Sequence, residues 1–280
     1  MAALVLVSVT AGCQERFRLG VDHADTVTVD WTRSTEANCN HGVLPYRAIG
    51  VRMWWPTTGG PWPLVVFAPG FNANGSTYNV LGSDLASAGY VVAAPSFPLS
   101  GPGSCPTSAD IPNQPGDISH VISYVLDGAS PVSGRVDGRV GVVGHSDGGL
   151  TVAAMALIGN DDDPRVSAYV DLSAGVPRWL GALHPNRVPF LVSGGDADPG
   201  NPISELEQAY DWASAPKAFV AELGADHTSA WYDDDAAAHV ARDAVVAFLD
   251  RWVRDDPDAT ARFKSLGMTP GVTWSTTDGW

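Results

Sequence analysis

Basic residues are scarce in this sequence of 280 residues. Lysine and arginine number 16 against 31 aspartates and glutamates, which gives a formal net charge of −15 at pH 7. Nucleic acids and anionic membrane surfaces are bound by clustered lysine and arginine side chains. The charge balance therefore argues against a nucleic-acid partner and agrees with a secreted or surface protein.

Near its start the sequence lacks an apolar run long enough to span a bilayer. The apolar stretch at residues 2–9 is shorter than the ~20 residues that a membrane-spanning helix needs. It ends in Thr10-Ala11-Gly12-Cys13 and is similar to an export signal followed by a lipobox, but no basic residue precedes it. We predict that residues 1–13 are a remnant of such a signal in a secreted or cell-surface bacterial protein. Cys13 is the candidate lipid anchor and the only membrane contact expected; the alternative for this segment is an ordinary buried strand.

Cysteine is rare, with residues only at positions 13, 39 and 105. Without Cys13 an even pair remains, and in an oxidising compartment Cys39 and Cys105 are candidates for one disulfide. Their pairing depends on a Cα separation that the sequence does not specify. No group of histidine and carboxylate residues has the spacing of metal ligands, so we expect no metal and no other cofactor.

From residue 64 onward, short apolar runs alternate with helical patterns. The runs at 64–68 and 90–95 are continuously apolar, as in strands that are covered on both faces. Further strands are predicted at 139–143, 166–172, 189–193 and 217–223. This alternation predicts an α/β fold with a mostly parallel central sheet flanked by helices.

The segments before and after this core differ from it. Residues 26–31 and 46–55 alternate between apolar and polar side chains, which predicts N-terminal antiparallel strands at one edge of the sheet. We predict a single domain at 14–255 and a polar tail without a regular element at 256–280. The stretch that follows the strand at 166–172 is too short for a large helical cap, so we expect an open site.

The pentapeptide Gly-His-Ser-Asp-Gly at residues 144–148 lies between a predicted strand and a predicted helix. Gly-x-Ser-x-Gly in that setting is typical of a nucleophile elbow, a sharp turn that exposes the serine at the top of a sheet. A side chain at Gly144 or Gly148 would collide with the neighbouring strand or helix. We therefore identify Ser146 as the candidate nucleophile and expect His145 to point away, beneath the turn.

A serine hydroxyl needs a base within hydrogen-bond distance, and the base needs an acid to orient it. Asp198 and His227 both follow predicted strands downstream of Ser146, and reactive groups gather at the carboxyl ends of parallel strands. We predict Asp198 as the acid and His227 as the base. Asp196 on the same loop is the alternative acid, or a turn-forming residue. Asp226 adjoins the base and is poorly placed to reach its ring.

The oxyanion of an acyl-transfer intermediate needs two converging N–H donors. One predicted donor is the backbone N–H of Asp147, which directly follows the nucleophile at a helix N-terminus. The other is the backbone N–H of Phe71, in the loop after the strand at 64–68, where Gly70 lets the chain turn inward. We expect the Phe71 side chain to form an apolar wall over the acyl pocket.

Four stretches carry a resemblance to a known family: Pro-Leu-Val-Val-Phe-Ala-Pro-Gly-Phe at 63–71, Gly-His-Ser-Asp-Gly-Gly at 144–149, Gly-Asp-Ala-Asp at 195–198 and Gly-Ala-Asp-His at 224–227. Over residues 45–255 the chain resembles the bacterial serine esterase branch of the α/β-hydrolase superfamily. That branch includes cutinase-like polyester hydrolases, platelet-activating-factor acetylhydrolase-like enzymes and dienelactone-hydrolase-like proteins. The resemblance implies the α/β-hydrolase fold and a cofactor-free triad with an oxyanion hole, at Ser146, Asp198, His227, Phe71 and Asp147.

Two departures from that family affect the expected substrates. Polyester-degrading cutinases usually have methionine after the serine, where this chain has Asp147. A carboxylate there opposes the developing negative charge unless it is turned away or hydrogen-bonded. Those enzymes also carry a tryptophan just after the strand that precedes the acid strand, whereas here residues 173–177 lack one and Trp179 follows. An aromatic clamp for polymers is therefore not assumed.

The leading hypothesis is a monomeric, secreted serine carboxylesterase that hydrolyses small-molecule or polymeric esters through an acyl-enzyme, with lipids and polyesters as candidate substrates. One alternative is a phospholipase or platelet-activating-factor acetylhydrolase-like enzyme, in which the same chemistry acts on short acyl chains. The other alternative is a non-catalytic surface binding protein with this fold. A fluorophosphonate probe separates these hypotheses, because a binding protein would not be labelled at Ser146.

Overall fold

A computed structural model describes residues 19–103, 105–158, 162–176, 181–232 and 236–277. The predicted export signal with Cys13, and also Trp179, lie outside the described residues. In the described part of the chain, no helix combines the length and the apolarity needed to cross a membrane.

The described residues contain nine strands: β1 (Val21–Asp30), β2 (Arg47–Pro56), β3 (Trp62–Ala68), β4 (Val91–Ser96), β5 (Val136–His145), β6 (Val166–Leu172), β7 (Phe190–Gly195), β8 (Lys217–Glu222) and β9 (Val272–Thr276). They form one sheet in the order β1-β2-β4-β3-β5-β6-β7-β8-β9. Strands β3 to β8 pair in parallel with one another, whereas β1 with β2 and β2 with β4 pair antiparallel. The predicted mostly parallel sheet with N-terminal antiparallel strands at one edge is confirmed.

Helices cover both faces of this sheet, which explains the continuously apolar runs in strands such as β3 and β4. Those in the described ranges are α1 (Asn79–Ser87), α2 (Gln114–Leu126), α3 (Asp147–Leu157), α4 (Ile203–Trp212), α5 (Ser229–Tyr232), α6 (Ala236–Trp252) and α7 (Ala259–Leu266). Buried side chains of α2, α3 and α4 form the core on one face, and those of α1, α6 and α7 form the core on the other. In α2, Ile118, Val121, Ile122 and Val125 recur at the spacing of a single helical face.

The C-terminal segment differs from the sequence prediction. No regular element is predicted at 256–280, but α7 and β9 form there. Phe263 of α7 is buried, and its ring centroid lies 6.3 Å from that of Trp274 on β9. β9 pairs antiparallel with β8, whose outer edge would otherwise expose unpaired backbone groups. The sequence patterns therefore missed α7 and β9, and the domain boundary itself stays a prediction.

Parallel strands that end at one edge of the sheet carry the candidate site. β5 ends immediately before Ser146, β7 ends shortly before Asp198, and β8 ends before the loop that carries His227. Since the carboxyl ends of parallel strands meet at the same edge, residues distant in sequence become neighbours there. The described residues between β6 and β7, which are 173–176 and 181–189, form no helix.

Candidate active site

The turn between β5 and α3 holds Ser146 in a strained backbone conformation. Its φ of 57° and ψ of −125° lie where residues other than glycine are uncommon. A Cβ atom at Gly144 would collide with the Gly148 carbonyl group, and one at Gly148 would collide with the carbonyl oxygen of Ala68 on β3. Both glycines are therefore required for a turn this sharp, and the turn presents Ser146 at the carboxyl edge of the sheet.

Ser146, His227 and Asp198 form a continuous hydrogen-bonded series. Nε2 of His227 lies 2.9 Å from Oγ of Ser146, and Nδ1 of the same ring lies 2.6 Å from Oδ2 of Asp198. Because a carboxylate only accepts, Nδ1 carries the donated hydrogen, and Nε2 of the neutral ring accepts from the serine hydroxyl. The structure thus brings together the three residues that the sequence selects, with 81 positions between the serine and the histidine.

Asp198 is held in place by the loop that follows it. Its side chain is buried, and Oδ1 accepts hydrogen bonds from the N–H groups of Gly200 and Asn201, at 2.8 and 3.0 Å. The alternative acid, Asp196, is exposed and accepts a hydrogen bond from the N–H of Gly224. Of the two aspartates, the structure therefore places Asp198 against the imidazole.

Asp226, the residue before His227, is directed to the start of α5. Its Oδ1 accepts hydrogen bonds from the backbone N–H groups of Thr228 and Ser229, and from Oγ of Ser229. These bonds, with that from the Thr228 N–H as the largest cause, lower the pKa of Asp226 to about 2. The Asp226 carboxylate therefore stabilises the start of α5. It is not the partner of the imidazole, which agrees with the expectation that it is poorly placed to reach the ring.

His145 lies beneath the turn, with only 2% of its surface exposed. Its Nδ1 lies 2.8 Å from Oη of Tyr78, and its Nε2 lies 2.8 Å from the carbonyl oxygen of His227. Burial, and secondarily the charge of His227, lowers the pKa of His145 to about 3. His145 is therefore neutral at neutral pH and points away from Ser146, as the sequence analysis expects. Nothing in the sequence pattern singles out Tyr78.

One predicted oxyanion donor, Asp147, follows Ser146 directly, and the other, Phe71, follows Gly70 in a loop against the serine. Asp147 is the first residue of α3, so its N–H has no acceptor inside the helix. No hydrogen bond joins the N–H of Phe71 to another described residue. A Cβ atom at Gly70 would lie 3.0 Å from Cβ of Ser146, so the loop with Phe71 lies directly against the serine. The Phe71 side chain itself is 45% exposed.

The carboxylate of Asp147 is hydrogen-bonded to a residue that the sequence analysis did not select. Oγ of Ser108 donates to Oδ2 of Asp147 at 2.6 Å. Burial raises the pKa of Asp147, and this rise is opposed by the Ser108 hydrogen bond and by the charge of His227. Ser108 lies within a stretch rich in proline, glycine and serine, where no sequence pattern distinguishes one serine from another.

A disulfide joins Cys39 to Cys105, whose Cα atoms are 6.1 Å apart, within the usual range. The loop that carries Cys105 also provides Ser108 and the Ser100 carbonyl, which accepts a hydrogen bond from the N–H of Asn72 at 2.8 Å. The disulfide therefore anchors a loop that contacts the chain next to both predicted oxyanion donors.

The sheet order, the flanking helices and the strand–turn–helix unit around Ser146 define an α/β-hydrolase fold. Residues 43–270 match the model of the PET hydrolase-like family, and the chain belongs to that family. The resemblance to the bacterial esterase branch of the superfamily is thereby confirmed.

Individual relatives agree with this assignment. The bis(hydroxyethyl) terephthalate hydrolase of Streptomyces coelicolor is 32% identical over 215 residues, which cover 74% of this chain and 63% of the relative. Cutinase est1 of Thermobifida alba is 28% identical over 170 residues, which cover 58% of this chain and 51% of the relative. The chain thus matches less than two thirds of the length of either relative. A ferulic acid esterase from Streptomyces cinnamoneus shares the fold, with a TM-score of 0.69 at 22% identity over 92% of this chain and 97% of that one.

Proposed function

We propose that the protein hydrolyses carboxylic esters through an acyl-enzyme formed on Ser146. The observation that carries this proposal is the hydrogen-bonded series from Asp198 through His227 to Ser146, with donor–acceptor distances of 2.6 and 2.9 Å. Membership of the PET hydrolase-like family supports it, as do the names of the two curated relatives, a bis(hydroxyethyl) terephthalate hydrolase and a cutinase.

In the proposed acylation, Oγ of Ser146 bonds to the ester carbonyl carbon while Nε2 of His227 takes the hydroxyl proton. The carbonyl electron pair moves to oxygen, where the backbone N–H groups of Phe71 and Asp147 stabilise the negative charge. As the tetrahedral intermediate collapses, the carbon–oxygen bond to the leaving group breaks, and that oxygen receives the proton from Nε2. Water then repeats the sequence and releases the acid. Asp198 keeps the imidazole in the required tautomer throughout.

The proposed substrates are small esters of aromatic or short aliphatic acids, and bis(hydroxyethyl) terephthalate is the first to test. The exposed Phe71 side chain follows Gly70, which lies against Ser146, and it is the proposed aromatic contact for the substrate. The described residues between β6 and β7 form no helical cap, which favours access from solvent. Polyester films, triglycerides and short-acyl phospholipids complete the panel, and preferential hydrolysis of the phospholipids would favour the acetylhydrolase-like alternative.

We also infer that the protein works in an oxidising compartment, because a disulfide such as Cys39–Cys105 persists there and is rare in reducing cytosol. This supports a secreted or cell-surface location. Lipidation of Cys13 and the monomeric state remain predictions from the sequence.

The substitution Ser146→Ala tests the proposed nucleophile, with Ser265→Ala as the matched control. Ser265 is an exposed serine of α7 whose Oγ donates to the Arg262 carbonyl. With p-nitrophenyl butyrate and bis(hydroxyethyl) terephthalate, we expect Ser146→Ala to lower kcat by about 10³-fold or more. Ser265→Ala should keep the wild-type rate. Full hydrolysis by Ser146→Ala would refute the mechanism, and a wild-type protein that neither reacts with fluorophosphonate nor hydrolyses any ester would favour the binding protein.

A further inference from the structure

We propose that Tyr78 and His145 are positioning residues that hold an oxyanion donor and the base in register with Ser146. This inference rests on the proposed esterase function. The N–H of Gly70 lies 3.0 Å from Oη of Tyr78, and that oxygen lies 2.8 Å from Nδ1 of His145. Nε2 of His145 in turn lies 2.8 Å from the carbonyl oxygen of His227. One buried series of hydrogen bonds thus joins the loops after β3, β5 and β8, which are three of the loops that form the site.

The chemistry of these groups gives each hydrogen bond one direction. The His227 carbonyl can only accept, so Nε2 of His145 carries the hydrogen. The ring is neutral at neutral pH because burial lowers the pKa of His145 to about 3, so Nδ1 is an acceptor. Tyr78 therefore donates its hydroxyl hydrogen to Nδ1 and accepts from the Gly70 N–H. No partner in the series can be replaced by an apolar side chain without leaving a buried polar group unpaired.

At one end, the series fixes the loop that carries the proposed oxyanion donor. Gly70 directly precedes Phe71, and a Cβ atom at Gly70 would lie 3.0 Å from both Oη of Tyr78 and Cβ of Ser146. The backbone is therefore confined between the phenol and the nucleophile. Tyr78 itself is 1% exposed, and its ring centroid lies 4.6 Å from that of Phe67 on β3. The buried phenol of Tyr78 therefore fixes the backbone at Gly70 and, through it, the direction of the Phe71 N–H.

At the other end, the series joins the backbone of the base, His227, to the side chain of His145, which directly precedes the nucleophile. The hydrogen bond from His145 reaches the carbonyl of His227, and the two ring centroids are 4.7 Å apart. Because His145 and Ser146 are consecutive, this contact sets the separation between base and nucleophile. A displacement of about 1 Å in such a geometry can cost ~10²-fold in rate. Tyr78 and His145 can therefore affect catalysis without touching the substrate.

The substitution Tyr78→Phe removes a single hydroxyl, and Tyr90→Phe is its matched control. Tyr90 is equally buried, but its hydroxyl donates to Asp250 at 2.7 Å, beside the amino end of β4. With p-nitrophenyl butyrate, Tyr78→Phe should lower kcat about tenfold and leave KM within about twofold. Its affinity for butylboronic acid, which forms a tetrahedral adduct on serine, should fall by a similar factor. Tyr90→Phe should leave all three quantities at wild-type values.

Substitutions at His145 test the other half of the series. His145→Gln supplies an amide N–H near the position of Nε2, whereas His145→Leu supplies none. We expect the glutamine variant to retain several-fold more kcat than the leucine variant. Equal kcat in the two variants would contradict the role given to the hydrogen bond with the His227 carbonyl.

Nuclear magnetic resonance provides a measurement that does not depend on turnover. In Tyr78→Phe we expect faster exchange of the Gly70 amide and a shifted Nδ1 resonance of His145, and Tyr90→Phe should change neither. Equal kcat in the two phenylalanine variants, or unchanged Gly70 and His145 signals in Tyr78→Phe, would overturn the inference. If the wild-type protein hydrolyses no ester, the proposed function fails, and the resonance comparison alone then decides the hydrogen-bonded series.

Discussion

Removing the Cys39–Cys105 disulfide tests how much this bond contributes to the stability of the fold. The two cysteines are 66 positions apart in the sequence. Closing a loop of that length restricts the unfolded chain by about 4 kcal/mol at 25 °C in the chain-entropy model. For a domain of this size, 1 kcal/mol corresponds to about 2–4 °C in Tm, so the double variant Cys39→Ser/Cys105→Ser should melt about 10 °C below the wild type.

The same variant should affect activity less than stability. The loop with Cys105 retains the Ser108 hydrogen bond to Asp147, so we expect kcat to fall only a few-fold. Urea unfolding followed by circular dichroism measures the stability, and p-nitrophenyl butyrate hydrolysis measures the activity. As a control, a reductant should destabilise the wild type by the same amount and leave the double variant unchanged. If the double variant unfolds at the same urea concentration as the oxidised wild type, the disulfide does not stabilise the fold.

Three further substitutions test the acid, the turn and a buried carboxyl group. Asp198→Asn should lower kcat by about 10³- to 10⁴-fold, whereas Asp196→Asn should stay within a few-fold of the wild type in the same assay. The reverse result would make Asp196 the acid. Gly148→Ala introduces a collision with a β3 carbonyl and should abolish activity and lower Tm, whereas Gly42→Ala, with open space around it, should change neither. Burial raises the pKa of Asp171 to about 8, against about 4 when unfolded, so folding becomes less favourable as pH rises through that interval, by up to ~1.4 kcal/mol per pH unit. Asp171→Asn removes this penalty, and its stability relative to the wild type should increase between pH 5 and pH 8 in urea unfolding; no change with pH would contradict it.

The parallel part of the sheet is predictable from the sequence because its strands are buried on both faces. The runs at 64–68 in β3 and 91–95 in β4 contain no polar side chain, and only a sheet between two helical layers hides both of their faces. The strand β9 is different, because its residues are half-buried or exposed. It is a strand because β8 has a free edge, and that edge is created by the rest of the fold. The residues of β9 alone therefore do not indicate that a strand partner is present.

The same distinction applies to the site. Ser146 follows its strand directly, and Asp198 and His227 lie on the loops after theirs, so the order of strands along the chain is enough to predict that they meet. Tyr78 and Ser108 reach the site from a helical turn and a loop, through side chains whose direction depends on tertiary packing. Supporting residues of this kind lie outside the strand ends and follow no periodic pattern in the sequence, so only the tertiary structure identifies them.

Asp147 carries an acidic side chain next to its own backbone N–H, which is a proposed oxyanion donor. Two unit charges about 6 Å apart interact by roughly 3 kcal/mol at an effective dielectric constant of 20, so a free carboxylate there would oppose the proposed transition state appreciably. Burial raises the pKa of Asp147 and so disfavours its charged form, whereas the hydrogen bond from Ser108 stabilises the carboxylate. The loop that supplies Ser108 is tied to the N-terminal part of the chain by the Cys39–Cys105 disulfide. The Asp147 side chain is therefore bound by the disulfide-anchored loop, and its backbone N–H is left for the proposed role in the oxyanion hole.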